Sequence, residues 1–394
     1  MTFAVWFVTI LLTLRTSYSI TIIHYVACFL AILAIAFTVS IFRDNSFYNI
    51  IRDTTYLLKP ILGLFAGYQL CKFESKKAFS VIVYTGLIIS IIHLSIIAFA
   101  FLEYKTLTVN LIRQVGGYFS DYEIYVLLIL LFSKEFQLDI SKQKIRWFIL
   151  IVGVSSFLYL ARTNFIQFFI IYLALKGYYK LNKRAIRVLL TTTIIILVGY
   201  SIVLSINPKR GGKGFEAFLY KVKIAPIEPF KTNINKSNWK DFNDNYRSYE
   251  NIIAVKQVSN NGYLAIIFGE GLGATLDLGR KVLSNDGEYV RHIPIVHNGY
   301  MTVFLKSGII GVIILLYFLF ILFRQKKSIT PLNNHINYLL IGTSIFLILS
   351  NWVFLGLYLK LDNKSILIGY MIYLKIIIEN ENNSQKLKSE NESN

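Results

Sequence analysis

His292-Ile-Pro-Ile-Val-His297-Asn298-Gly299-Tyr300 closes a long polar stretch, residues 207–296, and opens an apolar run that continues to Phe323. Runs of the same kind precede the polar stretch: Ile20 to Ile41, Ala78 to Leu102 and Val188 to Ile206. Each approaches or exceeds the roughly 20 apolar residues that span a bilayer. The chain therefore reads as a set of membrane helices with one sizeable aqueous segment placed between them. His297 stands where that segment re-enters the membrane, and an ionisable group at such a boundary marks a candidate functional position.

Composition agrees. Of 394 residues, 55% are hydrophobic and only 16% are charged, with a mean hydropathy of +0.54, whereas a soluble domain carries about a quarter charged residues. The two cysteines, Cys28 and Cys71, fall in or beside apolar runs and supply neither a disulfide framework nor a metal cluster. The N-terminus has no basic region and no small-residue cleavage site, so Phe3 to Leu14 reads as a retained short helix rather than a signal peptide.

A net charge of +19 invites a nucleic-acid reading, but the positive residues sit at alternate membrane exits. One group is Lys72, Lys76 and Lys77; the next is Lys134, Lys142, Lys144 and Arg146. Lys176, Lys180, Lys183, Arg184 and Arg187 follow, then Arg324, Lys326 and Lys327. The intervening loops, around Arg43 to Asp53, Tyr104 to Ser120 and Lys360 to Lys364, carry no such clusters. This is the positive-inside distribution, which sets topology rather than ligand preference. No nucleic-acid partner is expected.

The expected fold is an all-α polytopic membrane protein with about eleven spans (ten to twelve), near residues 3–14, 20–41, 55–71, 78–102, 119–133, 147–161, 163–176, 187–206, 300–323, 335–356 and 364–378. It divides into N-terminal membrane helices (1–206), a large extracytoplasmic and mainly helical loop (207–296), C-terminal membrane helices (297–378) and a disordered cytoplasmic tail (379–394). No internal repeat and no paired broken helices point to a transporter.

Within the loop, Phe215, Phe218, Leu219 and Val222 follow helical spacing, with Lys213, Lys221 and Lys223 nearby, as suits a short helix on the membrane surface. Trp239, Phe242, Tyr246, Tyr249 and Ile253 then repeat at alternating threes and fours, the pattern of an amphipathic helix whose aromatic stripe packs inward. Arg247 lies beside that stripe, and its bland reading is a pair with Glu250 one turn on. Gly269-Glu270-Gly271-Leu272-Gly273-Ala274, with Glu288 downstream, can be scored as a dinucleotide fingerprint. It lacks the surrounding strand and helix context, so a tight turn on the loop surface is the better reading. His292 and His297 are five residues apart with no cysteine nearby, which makes a poor metal site.

Three motifs carry a resemblance. His297-Asn298-Gly299-Tyr300 followed by Lys306-Ser307-Gly308-Ile-Ile-Gly311 resembles the signature of the bacterial O-antigen polymerase and ligase superfamily, in which a His-Asn pair opens a membrane helix and a G-x-x-G step follows. Arg247, about fifty residues before the histidine and ahead of the Gly269/Gly271 turn, is similar to that family's arginine on a periplasmic helix. Leu160-Ala161-Arg162-Thr163, at the outer end of a span, resembles its Ser/Thr-Arg-Ser/Thr motif, with Ala161 where a hydroxyl residue is common.

The resemblance implies a glycosyltransferase of the bacterial inner (plasma) membrane, its large loop outside. Such an enzyme polymerises oligosaccharide repeat units carried on a polyprenyl (undecaprenyl) pyrophosphate into O-antigen or capsule. A ligase would instead transfer the glycan to lipid A core to complete lipopolysaccharide. The sugar C1 is attacked by an acceptor hydroxyl with inversion, and the lipid pyrophosphate leaves. Neither a cofactor nor a metal is implied, because fixed cations do the work, and arginine binds phosphate oxygens bidentately. Arg162 and Arg247 are the expected cations, and His297 the general base, kept neutral by its helix N-terminus. Arg291, Asn298 and Lys306 are expected to contact substrate. Membrane lipids and a chain-length regulator are the further partners expected. Taken singly, Arg162 also suits an interfacial snorkelling residue and His297 a helix cap. A transporter of lipid-linked sugars is the competing class.

Overall fold

The computed structural model describes residues 2–13, 18–72, 75, 77–105, 108–180, 182–212, 215–283, 287–358 and 363–393. Leu14, Lys76, Lys213 and Lys360, of the expected first span and loops, lie outside them. In chain order the helices are α1 (Thr2–Leu12), α2 (Ile20–Ile41), α3 (Phe47–Cys71), α4 (Ala78–Tyr104), α5 (Val109–Gly116), α6 (Asp121–Leu131), α7 (Lys142–Leu158), α8 (Arg162–Leu175) and α9 (Lys183–Ile206). There follow α10 (Phe215–Ile224), α11 (Trp239–Asp244), α12 (Tyr246–Asn260), α13 (Tyr263–Phe268), a hairpin of β1 (Leu276–Leu283) and β2 (Tyr289–Ile293), then α14 (Gly299–Phe323), α15 (Pro331–Val353) and α16 (Lys364–Ser393).

The protein is mostly helical, and each of the eleven expected spans contains a helix. Among the described residues, five (α2, α4, α9, α14 and α15) are long and apolar enough to cross a membrane. The rest are shorter or more polar. α1, for example, has only 11 residues, about 17 Å at 1.5 Å per residue against a hydrocarbon core near 30 Å. α3 begins at Phe47 rather than near residue 55. The tail was expected to be disordered, yet α16 continues through it to Ser393. Residues 379–393 include no Gly or Pro, so neither of the two strongest helix breakers ends the apolar part there.

The chain separates into two compact units. The first comprises residues 1–72, 227–324 and 347–373; the second comprises 73–226, 325–346 and 374–394. The polar loop is therefore not a body of its own, and it divides after Pro226. The reason lies in its core. Phe242, Tyr249, Ala254, Val258, Leu276, Leu278 and Val296 bury together with Leu305, which belongs to α14. The aromatic stripe does pack inward at Phe242 and Tyr249, but Asn245 interrupts it, so two helices stand where one was expected. Nor is the loop wholly helical. β1 and β2 pair antiparallel, with Leu276 opposite Ile293 and Asp277 opposite His292.

In the first unit α2 lies against α3 and α14, with the rings of Tyr25 and Phe29 on Phe318 at centroid distances of 5.5 and 4.6 Å. α14 breaks one-third of the way along, where Ser307 and Gly308 leave helical geometry and Gly308 takes φ +63°. The break frees carbonyls, and the glycine turn after α13 supplies their donors. Glu270 N donates to Leu305 O at 2.8 Å, and Gly271 N to Lys306 O at 3.1 Å. A Cβ at Gly308 would run into the Ile267 carbonyl. The turn is thus buried against α14 rather than exposed on the loop surface, because unpaired carbonyls in an apolar setting need partners.

Candidate functional site

The site in the first unit is built on α12 and the segment entering α14. Asn298 caps α14, its Oδ1 accepting from Met301 N at 3.1 Å, and Gly299 N donates to Phe354 O at 2.8 Å. These bonds fix the chain just before the helix, where His297 sits. The His297 backbone N donates to Glu250 Oε2 at 2.9 Å, and its ring Nδ1 lies 3.0 Å from both carboxylate oxygens. Glu250 is fully buried, while the His297 side chain is 47% exposed. A carboxylate only accepts, so Nδ1 carries a proton, and in the neutral ring Nε2 is the acceptor. The pair is a histidine oriented by a buried carboxylate, with its second nitrogen available to a substrate proton.

Tyr246 completes the immediate surroundings. Its ring meets His297 edge-on at a centroid distance of 6.0 Å. Burial first, then the nearby Glu250 carboxylate, hold its phenol well above the ordinary value, so it stays protonated. His297, Glu250 and Tyr246 line a groove of about 750 Å³ that also takes in Trp239, Arg280 and Tyr289.

Arg247 precedes Glu250 by one turn of α12. It does not form the bland pair with Glu250. Its Nη1 lies 3.7 Å from Glu228 Oε1, and its guanidinium sits 5.1 Å from the centre of the Phe354 ring. Among the described residues no acceptor comes within hydrogen-bond distance of that guanidinium. Among the described residues of this unit, Asn298 Nδ2 and Trp352 Nε1 are also buried without an acceptor. A buried unmatched donor costs about 1–3 kcal/mol, which water or an anionic ligand relieves.

The remaining candidates are differently placed. Arg291, expected to contact substrate, is taken by a fork-to-fork bond across the hairpin: Nε and Nη2 donate to the two Asp277 oxygens at 2.7 and 2.8 Å. Lys306, expected likewise, is buried and donates to Asp53 Oδ2 at 2.5 Å and to the Ala274 carbonyl. Asp53 Oδ2 in turn accepts from Gly273 N at 2.7 Å. Lys306 therefore ties the glycine turn to α3 and α14, which satisfies a lysine inside a span. His292 projects from β2 and is exposed. Arg162 opens α8 in the second unit, where its Nη1 donates to the Lys221 carbonyl of α10 at 2.5 Å.

Two features escaped the sequence reading. Glu250, which the i, i+3 spacing offers to Arg247 as its bland partner, belongs to His297. In the second unit, the buried Glu123 of α6 accepts from Ser90 Oγ at 2.6 Å and from Ser155 Oγ at 2.5 Å, and Ser155 Oγ meets His93 Nδ1 at 2.8 Å. The proximity of His93 to an acid across three helices leaves no trace in residue spacing. No protein-family model matches the chain, and no curated protein matches it.

Proposed function

We propose that the protein is a membrane glycosyltransferase of the O-antigen polymerase and ligase type, joining saccharide units carried on a polyprenyl pyrophosphate. The observation that carries this reading is the His297–Glu250 pair one helical turn from Arg247, a cation with no acceptor within hydrogen-bond distance among the described residues. In the proposed reaction, His297 Nε2 takes the proton of an acceptor hydroxyl, whose oxygen attacks C1 of the donor sugar. The C1–O bond to pyrophosphate breaks, its electron pair passing to the leaving oxygen, and the configuration inverts. Arg247 binds the charge that develops there, and Asn298 lends its amide to the same anion. Removing one such preorganised donor costs about 3–4 kcal/mol. No step calls for a metal, so a chelator is expected to leave the rate unchanged.

The remaining parts rest on the charge pattern and the resemblance. The eleven-span topology, the extracytoplasmic side of the loop and the inner-membrane location belong to this proposal. A polymerase is favoured over a ligase, which shares the donor and differs in the acceptor. The second class, a transporter of lipid-linked sugars, draws support from the buried Glu123 and His93 of the second unit, since intramembrane ionisable groups also line transport paths. Purified protein given only a lipid-linked repeat unit separates the three. A ladder of products with release of lipid pyrophosphate supports the polymerase. Product only after lipid A core is added indicates the ligase. No glycosidic bond under either condition, with lipid-linked sugar moved across vesicles, overturns the enzyme.

A further inference from the structure

The groove beside His297 is larger than a proton-transfer site requires, and its lining has a specific chemistry. Trp239 of α11 is 60% exposed and Tyr289 of β2 is 72% exposed. Both are large exposed aromatics on elements that flank the buried rings of Phe242 and Tyr249. Both line the same groove, which at about 750 Å³ lies inside the range of about 300–1,000 Å³ typical of small-ligand sites. Arg280, also in the lining, is held in place: its guanidinium stands 4.5 Å from the Phe242 ring centre, and Nη1 donates to the Lys236 carbonyl at 2.7 Å. Its other N–H groups have no acceptor among the described residues. Lys281, next to it, also lines the groove.

Exposed aromatic faces together with fixed donors suit one class of ligand. A pyranose ring presents a face of C–H groups that packs on an aromatic ring, and a rim of hydroxyls that need hydrogen-bond donors and acceptors. We infer that this groove is the acceptor subsite, binding an oligosaccharide with Trp239 and Tyr289 as stacking platforms and Arg280 and Lys281 as donors to its hydroxyls. The inference rests on the glycosyl-transfer reading of His297, because that histidine lines the groove and needs a sugar hydroxyl within reach. It goes further in separating two substrates. The acceptor saccharide occupies the groove, while the phosphates of the donor go to Arg247.

The test uses the full-length protein in detergent and two measurements. The first is binding of the oligosaccharide released by mild acid from the lipid-linked repeat unit, read by titration calorimetry in His297→Ala protein, where no bond can form. Binding is expected there, and it should weaken on the order of tenfold when Trp239→Ala or Tyr289→Ala is added. The second is transfer kinetics in a protein with intact His297. The same two substitutions should raise KM for the acceptor by a similar factor, leave KM for the lipid-linked donor unchanged, and largely spare kcat. Tyr289→Phe should restore acceptor KM, because the ring face and not the hydroxyl makes the contact. Unchanged acceptor affinity in both alanine variants, or a shift in donor KM instead, overturns the subsite. Saccharide binding that depends on Trp239 and Tyr289 in a protein that makes no glycosidic bond would leave the groove standing as a saccharide site and overturn the transferase.

Discussion

Glu250→Gln is the substitution that bears hardest on the site, because it keeps the shape of the side chain and changes only what it accepts and donates. The carboxylate takes two hydrogen bonds, from the His297 backbone at 2.9 Å and from the ring at 3.0 Å. Bonds to a charged group contribute about 1.5–3 kcal/mol each and neutral ones about 0.5–1.5. The substitution therefore costs roughly 2 kcal/mol of stability, partly offset because a buried charge is removed. The larger effect is on the proton. A glutamine has one oxygen, and if that oxygen stays on the backbone N–H its amide nitrogen faces Nδ1 and donates to it. The ring then carries its proton on Nε2, the atom that must accept one. Loss of the correct tautomer costs about 10²–10⁴-fold in rate in comparable histidine–carboxylate pairs, or about 3–5 kcal/mol of barrier. The assay is product formation per mole of membrane-extracted protein, with thermal unfolding measured on the same sample. Glu250→Gln protein that folds and turns over at the wild-type rate would refute the orienting role.

Arg247→Ala is expected to lower turnover by about a hundred- to thousand-fold at normal protein level, with Arg247→Lys restoring little because a point charge does not replace a planar fork; near-normal product length in the lysine variant would make the arginine structural. Asp53→Ala should cost about 3–5 kcal/mol by stranding the buried Lys306 ammonium, and adding Lys306→Met should recover part of it, as read by melting in detergent. Gly308→Ala should destabilise the protein and abolish the break in α14, detectable as lost activity at normal expression, since the residue has φ +63° and no room for a Cβ. Hydrogen exchange in the β1–β2 hairpin should respond to acid through Asp277, whose carboxyl the Arg291 guanidinium, then the Gly279 N–H, hold well below the usual carboxylate range. A depressed folded value means that the stabilisation is present above about pH 4 and is lost as pH falls through the folded value. Arg291→Ala should remove that acid sensitivity.

The apolar spans, the entry into α14 and the short helix over Phe215–Ile224 were legible because their signals are local: a run length, a cap and a period. What was not legible is set by contacts between distant residues. Glu250 looked like a partner for Arg247 at i+3, and the residue it holds lies 47 positions away. Lys306 inside a span implied a partner, but nothing in its neighbourhood pointed to Asp53, 253 positions off. The hairpin had a readable trace in the alternation of Leu276 and Leu278, which the glycine-rich segment before it obscured. That segment was read as a surface turn because glycine spacing reports backbone freedom and not what the backbone meets. Here it meets the carbonyls of a broken helix.

The most direct measurement compares His297→Ala with His292→Ala in purified protein supplied with a lipid-linked repeat unit. His297 is anchored by Glu250 in the groove, whereas His292 stands exposed on β2 opposite Asp277. The account predicts that His297→Ala loses about a hundred- to ten-thousand-fold in rate while still binding the lipid-linked donor, and that His292→Ala is tolerated. An active His297→Ala protein, or a dead His292→Ala protein that folds normally, would contradict it.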